Sequence, residues 1–274
     1  MTHAHPFDQA VALEATAAHA FRGQSHAGYW NMVGPFGGIT AATLLQALLQ
    51  HPQRLGDPLS LTVNFAGAVG EGPFTVEAVP VRTNRSTQHW TLTLLQSGPD
   101  GAAVVATTGT AVTAVRRETW SMADTPMPEV PAPGTLPPLA PAAAMAWLQR
   151  YEMRPVSGVI PQVWDGGGDH SLSRLWMRDA PARALDFPAL TALADVFFPR
   201  VWLRRARQVP AGTVSLTVYY HADAAQLAAT GTGFVLGQAR AQEFRNGFFD
   251  QTAQLWNEAG TLLATSHQIV YYKE

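Results

Sequence analysis

Residues 59–66 read L-S-L-T-V-N-F-A, and residues 214–221 read V-S-L-T-V-Y-Y-H. Both stretches alternate apolar and polar positions, the pattern of a strand with one buried and one less buried face. The flanks of the shared S-L-T-V match as well. Upstream, an apolar helix candidate over 38–50 precedes the first copy, and the apolar run from Phe187 to Phe198 precedes the second. Downstream, a strand begins at Phe74 or Phe234, and a polar turn follows at 83–86 or 245–247. Next come T-L-T-L-L-Q or T-A-Q-L-W, then an acid-plus-glycine turn (Asp100-Gly101; Glu258 with Gly260). Each half closes on a strand, containing A-T-T-G-T-A-V or A-T-S-H-Q-I-V. This order predicts a duplicated helix-plus-antiparallel-sheet unit, with a period far beyond the roughly 20–50 residues of solenoids and propellers. The alternative is two unrelated α+β halves.

The two helix candidates sharpen the picture. I-T-A-A-T-L-L-Q-A-L-L and F-P-A-L-T-A-L-A-D-V-F-F are apolar or small nearly all round. A helix without a polar face is buried on all sides. The pattern therefore predicts a helix wrapped by a curled antiparallel sheet in each half. Between the halves, P-M-P-E-V-P-A-P-G-T-L-P-P-L-A-P removes backbone donors and favours extended geometry, as a linker or crossing segment does. The expected organisation is a repeat over 1–117, a Pro-rich segment over 118–141 and a second repeat over 142–274.

Composition narrows the function. Of 274 residues, 47% are apolar and only 14% charged, against about 25% charged in an ordinary soluble domain. Little charge is left for a large solvated surface, so a homo-oligomer is expected. The absence of cysteine excludes disulfide scaffolds, thiolate metal sites and cysteine nucleophiles. A net charge of -2 argues against nucleic-acid binding. No apolar run reaches the ~18 residues of a membrane span, and the first residues lack the basic and apolar blocks of a signal peptide. The expectation is a cytoplasmic protein with no membrane or nucleic-acid partner.

Asp195 stands alone among apolar neighbours in A-L-T-A-L-A-D-V-F-F. A buried carboxylate must be neutral, paired or turned to a wet cavity, which makes it a candidate functional group. The competing reading is a helix cap, because Pro199 places the helix end nearby. Gln268 lies in a strand otherwise suited to a core sheet, where motif alignment puts Thr110 in the first half. Thr213 opens the strand leading to Ser215-Leu216-Thr217. Strand Thr and Gln can also merely pair across a sheet. Gly34-Pro35-Phe36-Gly37-Gly38 leads into the first helix. Free N–H groups there, at Gly37 and Gly38, would suit a developing oxyanion, although a tight turn explains the same glycines. No metal spacing occurs among the nine histidines, and no G-x-S-x-G elbow occurs either. Neither a metal nor a cofactor is expected. Arg200, Arg204, Arg205 and Arg207 form the densest basic cluster, able to meet phosphates or simply to face solvent.

Taken together, G-P-F-G-G-I-T-A-A-T-L-L-Q-A-L, L-A-D-V-F-F-P, T-V-S-L-T-V-Y-Y-H and L-A-T-S-H-Q resemble the double-hotdog acyl-CoA thioesterases, the thioesterase II type and its shorter bacterial relatives. The motifs stand in family order and span most of the chain. The resemblance implies an α+β double hotdog, two repeats each wrapping an antiparallel sheet around a central helix. It implies hydrolysis of an acyl-CoA thioester, with the family's catalytic aspartate, threonine and glutamine falling on Asp195, Thr213 and Gln268. Gly37 and Gly38 would border the oxyanion, and Arg200, Arg204 and Arg205 the CoA phosphates. Leu216 departs from the polar residue often found there in longer members. Two other readings share the fold. One is an enoyl-CoA hydratase or dehydratase, with His221 or His267 as the catalytic histidine. The other is a non-catalytic acyl-CoA or lipid-binding protein.

Overall fold

The computed structural model describes residues 4–140 and 145–274. In the first half, α1 (Pro6–Ala10), β1 (Glu14–Ala15) and β2 (Ala20–Gln24) precede α2 (Gly37–Gln50). Four long strands follow: β3 (Asp57–Phe65), β4 (Pro73–Thr83), β5 (Thr87–Ser97) and β6 (Ala103–Ala114). The second half runs β7 (Tyr151–Ser157), β8 (Ser173–Asp179), α3 (Phe187–Leu193), α4 (Arg200–Arg205) and β9 (Ala211–Tyr220). It ends with α5 (Ala224–Thr230), β10 (Val235–Arg240), β11 (Phe244–Arg245), β12 (Phe248–Asn257) and β13 (Leu262–Tyr272).

All pairings are antiparallel, and the order β2-β4-β5-β6-β3 in one half repeats as β8-β10-β12-β13-β9 in the other. The halves join through β3 and β9, the two strands that carry S-L-T-V. Leu61 faces Val218, Val63 faces Leu216, and Thr62 faces Thr217. The hydroxyls of that central pair are 3.0 Å apart. Equivalent threonines meeting on one line mark the pseudo-two-fold axis of the duplication. The result is one continuous sheet wrapping two helices, the α+β double hotdog.

The helices lie inside. Ten residues of α2 and all seven of α3 are buried, as sequences without a polar face require. The helices also touch each other. At Gly38 a Cβ would lie 2.7 Å from the Ala192 carbonyl oxygen, so glycine is what lets them approach. α3 is shorter than the apolar run over 187–198 suggests. It stops at Leu193, with Ala194 as its C-cap. Pro199 lies beyond it, and the chain between is free to turn.

The Pro-rich segment is a crossing strap rather than a loose linker. Trp176 donates to the Pro131 carbonyl at 2.9 Å and Trp256 to that of Thr125 at 3.3 Å. Arg154 bonds the carbonyls of Pro133 and Leu136. Met127, Val130 and Leu136 cover an apolar cluster of Trp176, Phe234, Leu236 and Trp256. Prolines offer carbonyls without N–H groups, so the strap accepts bonds from the sheet's side chains. The expected repeat boundary at 141/142 lies outside the described residues.

Candidate active site

Asp195 sits two residues beyond α3, where the chain turns out of the helix. Its Oδ1 accepts a 2.8 Å hydrogen bond from Gln268 Nε2. The Gly38 amide, in the first turn of α2, lies near enough to favour the charged form of this carboxylate. A Cβ on Gly37 would come within 2.8 Å of Oδ2, so the glycine pair makes room for the acid. Thr213 donates to Gln268 Oε1 at 3.4 Å. The three side chains thus form one chain, Thr213 to Gln268 to Asp195, drawn from β9, β13 and the turn after α3.

Local structure explains each placement. On β13, Ala264, Ser266, Gln268 and Val270 are buried in alternation, so Gln268 points inward. On β9, Leu216, Val218 and Tyr220 also point inward, and strict alternation would bury Val214 next. A bulge opposite Ile269/Val270 breaks that parity. Val214 becomes 39% exposed, and Thr213 turns towards Gln268.

Electrostatics at Asp195 is a contest. Enclosure by protein penalises the charged form, while the Gln268 and Gly38 donors favour it; enclosure wins, and the pKa is pushed up to about 7. The residue nevertheless keeps part of its surface open to solvent. A carboxyl whose pKa lies near neutrality suits a general base.

Other expectations change. Arg200 is not a surface phosphate ligand. It is fully buried, bonding the Phe198 and Ser171 carbonyls and the Ser173 hydroxyl, because its side chain folds under α4. Burial pushes its pKa down. Arg204 and Arg205 do line a surface groove, together with Arg240 and His170. Arg204 also bonds the Gly168 carbonyl, and Arg205 pairs with Glu274.

Gln268 has a different first-half counterpart from the one motif alignment gives. Leu216 pairs with Gln268, and its equivalent Leu61 pairs with Ala111 rather than Thr110. Matching A-T-T-G-T-A-V to A-T-S-H-Q-I-V slips by one, and a one-residue slip exchanges the faces of a strand. The first half therefore has a buried methyl where the second has a buried amide. Sequence reading also missed Gln251, which faces Gln268 across β12–β13 and is 3% exposed. Its inward parity in F-F-D-Q-T-A-Q-L-W was the available signal.

The two histidines lie elsewhere. His267 is exposed, on the face of β13 opposite to Gln268, and His221 Nε2 contacts Thr265 Oγ1 at 3.0 Å. Among the described residues no group of acids and histidines is arranged to hold a metal, and no helix is long and apolar enough to cross a membrane. Beside α2 lies a small cavity of about 20 Å³, room for about one water. Tyr29, Pro35, Ile39, Thr43, Phe74 and Leu94 are among its walls.

Comparison with known proteins agrees with the geometry. A hotdog-fold protein of unknown function from Alicyclobacillus acidocaldarius is 49% identical over 99% of both chains, with a TM-score of 0.93. The acyl-CoA thioesterase II TesB2 of Mycobacterium marinum is 16% identical over 97% of this chain and 98% of its own, with a TM-score of 0.76. The dehydratase domain of the polyketide protein PpsC of Mycobacterium tuberculosis is 10% identical over 99% of each chain, at 0.57. At such low identities the last two share the fold alone. No curated protein matches the chain. The family model of the acyl-CoA thioesterase N-terminal domain matches residues 26–114, and that of the C-terminal domain matches 124–272. With both models aligned in tandem on the two halves of the duplication, the chain belongs to the acyl-CoA thioesterase family.

Proposed function

We propose that the protein hydrolyses an acyl-CoA thioester to the free acid and CoA through a water activated by Asp195. The observation that carries this reading is the Asp195 carboxyl, hydrogen-bonded by Gln268 beside Gly37 and with its pKa pushed up to about 7. Water attacks the thioester carbonyl carbon as Asp195 takes its proton. The tetrahedral oxyanion then collapses, the C–S bond breaks, and the proton passes to the departing CoA sulfur. A positioned base contributes about 10²–10⁴-fold. Gln268 orients the carboxylate, and Thr213 orients Gln268. The Gly37 and Gly38 amides, in the first turn of α2, are the donors offered to the oxyanion, at roughly 3–4 kcal/mol for a good donor.

The CoA phosphates meet Arg204 and Arg205, which line a surface groove. Low surface charge supports a homo-oligomer, and the substrate supports a cytoplasmic setting. The exposed position of His267 and the Thr265 contact of His221 speak against a histidine-based hydratase at this site. Assaying a panel of acyl-CoAs for free thiol tests the proposal, with no background from a chain that lacks cysteine. CoA release from at least one chain length is expected. Hydration of an enoyl-CoA without CoA release, or binding without turnover across the panel, overturns it.

A further inference from the structure

Gln251 stands directly opposite Gln268 on the β12–β13 ladder and is buried. It shares the inward face of β12 with Phe249, Ala253 and Leu255, all buried and apolar. Residues directly opposite on one face have Cβ atoms about 4.5–5.5 Å apart, so the two glutamines leave the sheet as neighbours. Gln268 is committed at both ends. Its Nε2 donates to Asp195 at 2.8 Å, and its Oε1 accepts from Thr213 at 3.4 Å. Other polar side chains of β12 are committed too: Asp250 accepts from the Gln242 and Glu243 amides, and Gln254 accepts from Gln238. The Gln251 amide has no hydrogen-bond partner among the described residues. Unlike the hydroxyls of Tyr29 and Tyr151, it is not shut off from solvent.

The first half shows how the same rung is filled by packing alone. Leu61 matches Leu216, and the ladder partners then give Ala111 for Gln268 and Trp90 for Gln251. Trp90 is buried and gives its indole N–H to Thr113 Oγ1 at 3.2 Å. A methyl and an indole thus occupy the rung in the half whose helix carries no acid. In the half with Asp195 the rung carries two amides. Burying an amide without a protein partner carries a desolvation penalty, which an apolar side chain would avoid.

We propose that Gln251 holds the water that Asp195 activates. The inference rests on the hydrolysis proposed above, and it adds the residue that aims the nucleophile. Gln268 orients the carboxylate and Thr213 orients Gln268, which leaves neither to fix the water. Water has two protons to direct: one points to Asp195, and Gln251 Oε1 accepts a hydrogen bond from the other. A lone pair then faces the thioester carbonyl carbon. As the new C–O bond forms, Asp195 takes the first proton. The C–S bond breaks, that proton passes to the CoA sulfur, and the second proton stays with the new carboxylic acid.

The test uses two variants of the full chain and thiol release from the best acyl-CoA of a chain-length panel. Gln251→Leu keeps similar bulk and removes the amide. Its kcat should fall by about tenfold to a hundredfold, as misplacing a reactant does, with KM within about twofold. It should melt no lower than the wild type, because no protein hydrogen bond is lost. Gln251→Glu keeps the length of the side chain and sets a second carboxyl beside Asp195, which disfavours ionisation of the pair. The acid limb of its kcat/KM profile should move up by about one pH unit. A wild type that hydrolyses acyl-CoA while Gln251→Leu keeps its kcat overturns the role of Gln251 and leaves hydrolysis intact. A loss confined to KM does the same, as does a Leu variant that melts lower. An unmoved acid limb in Gln251→Glu puts the side chain out of reach of Asp195 and also overturns it. A wild type that hydrolyses no acyl-CoA overturns both readings.

Discussion

Replacing Asp195 with asparagine should separate catalysis from stability in opposite directions. Asparagine keeps the size of the side chain and one acceptor, but it cannot take a proton from water. Thioester hydrolysis should therefore fall by about two orders of magnitude or more. Stability should rise slightly at high pH. The native pKa of about 7 lies above the reference 3.8, so the folded protein holds this proton more tightly than the unfolded chain. That contribution is complete below about pH 4, fades as pH rises to about 7, and is absent above. Three pKa units correspond to roughly 4 kcal/mol, and partial solvent access cuts this to about half. Asparagine escapes the cost but accepts from Gln268 more weakly than the carboxylate does, a loss of about 1 kcal/mol. The net gain is about 1 kcal/mol at pH 8 and none at pH 4. Urea denaturation at both pH values reads this, and thiol release reads the rate. The wild-type rate should climb about tenfold per pH unit below 7 and level off above it. A variant with wild-type turnover, or a wild-type profile that is flat from pH 5 to 8, refutes the reasoning.

Gln268→Ala should lower kcat more than Thr213→Ala does, since Gln268 touches Asp195 and Thr213 acts through it; steady-state kinetics showing the reverse order would count against the hydrogen-bonded chain. Gly38→Ala should destabilise the fold by about 1–3 kcal/mol, read by urea midpoint, because its methyl meets the Ala192 carbonyl and the Phe36 ring; an unchanged midpoint would show that the helices can separate freely. Trp176→Phe removes the bond to Pro131, at about 1 kcal/mol, and should hasten proteolytic cleavage within 118–140. Light scattering should give a multiple of 29.5 kDa, and a monomer mass at high concentration would remove the homo-oligomer.

Sequence alone determined the architecture, because the features that set it are local and periodic. The alternation in S-L-T-V, the absence of a polar face on both helices and the repeated order of landmarks each follow from burial acting along the chain. The isolation of Asp195 among apolar residues was legible for the same reason, as was the choice of Gln268 and Thr213 through family resemblance. Tertiary structure decided what depends on register and on contacts between distant segments. It set Ala111 rather than Thr110 opposite the Gln268 position, because face parity depends on ladder pairing and not on motif spacing. A β-bulge turned Thr213 inward. Packing folded Arg200 beneath α4, although its neighbours in sequence read as one basic surface. It also set Gly37 against the Asp195 carboxylate and brought Gln268 within hydrogen-bond distance of it. No window of sequence holds such pairs together, since a hydrogen bond depends on distance through space, and that distance exists only once the sheet has closed around its helices.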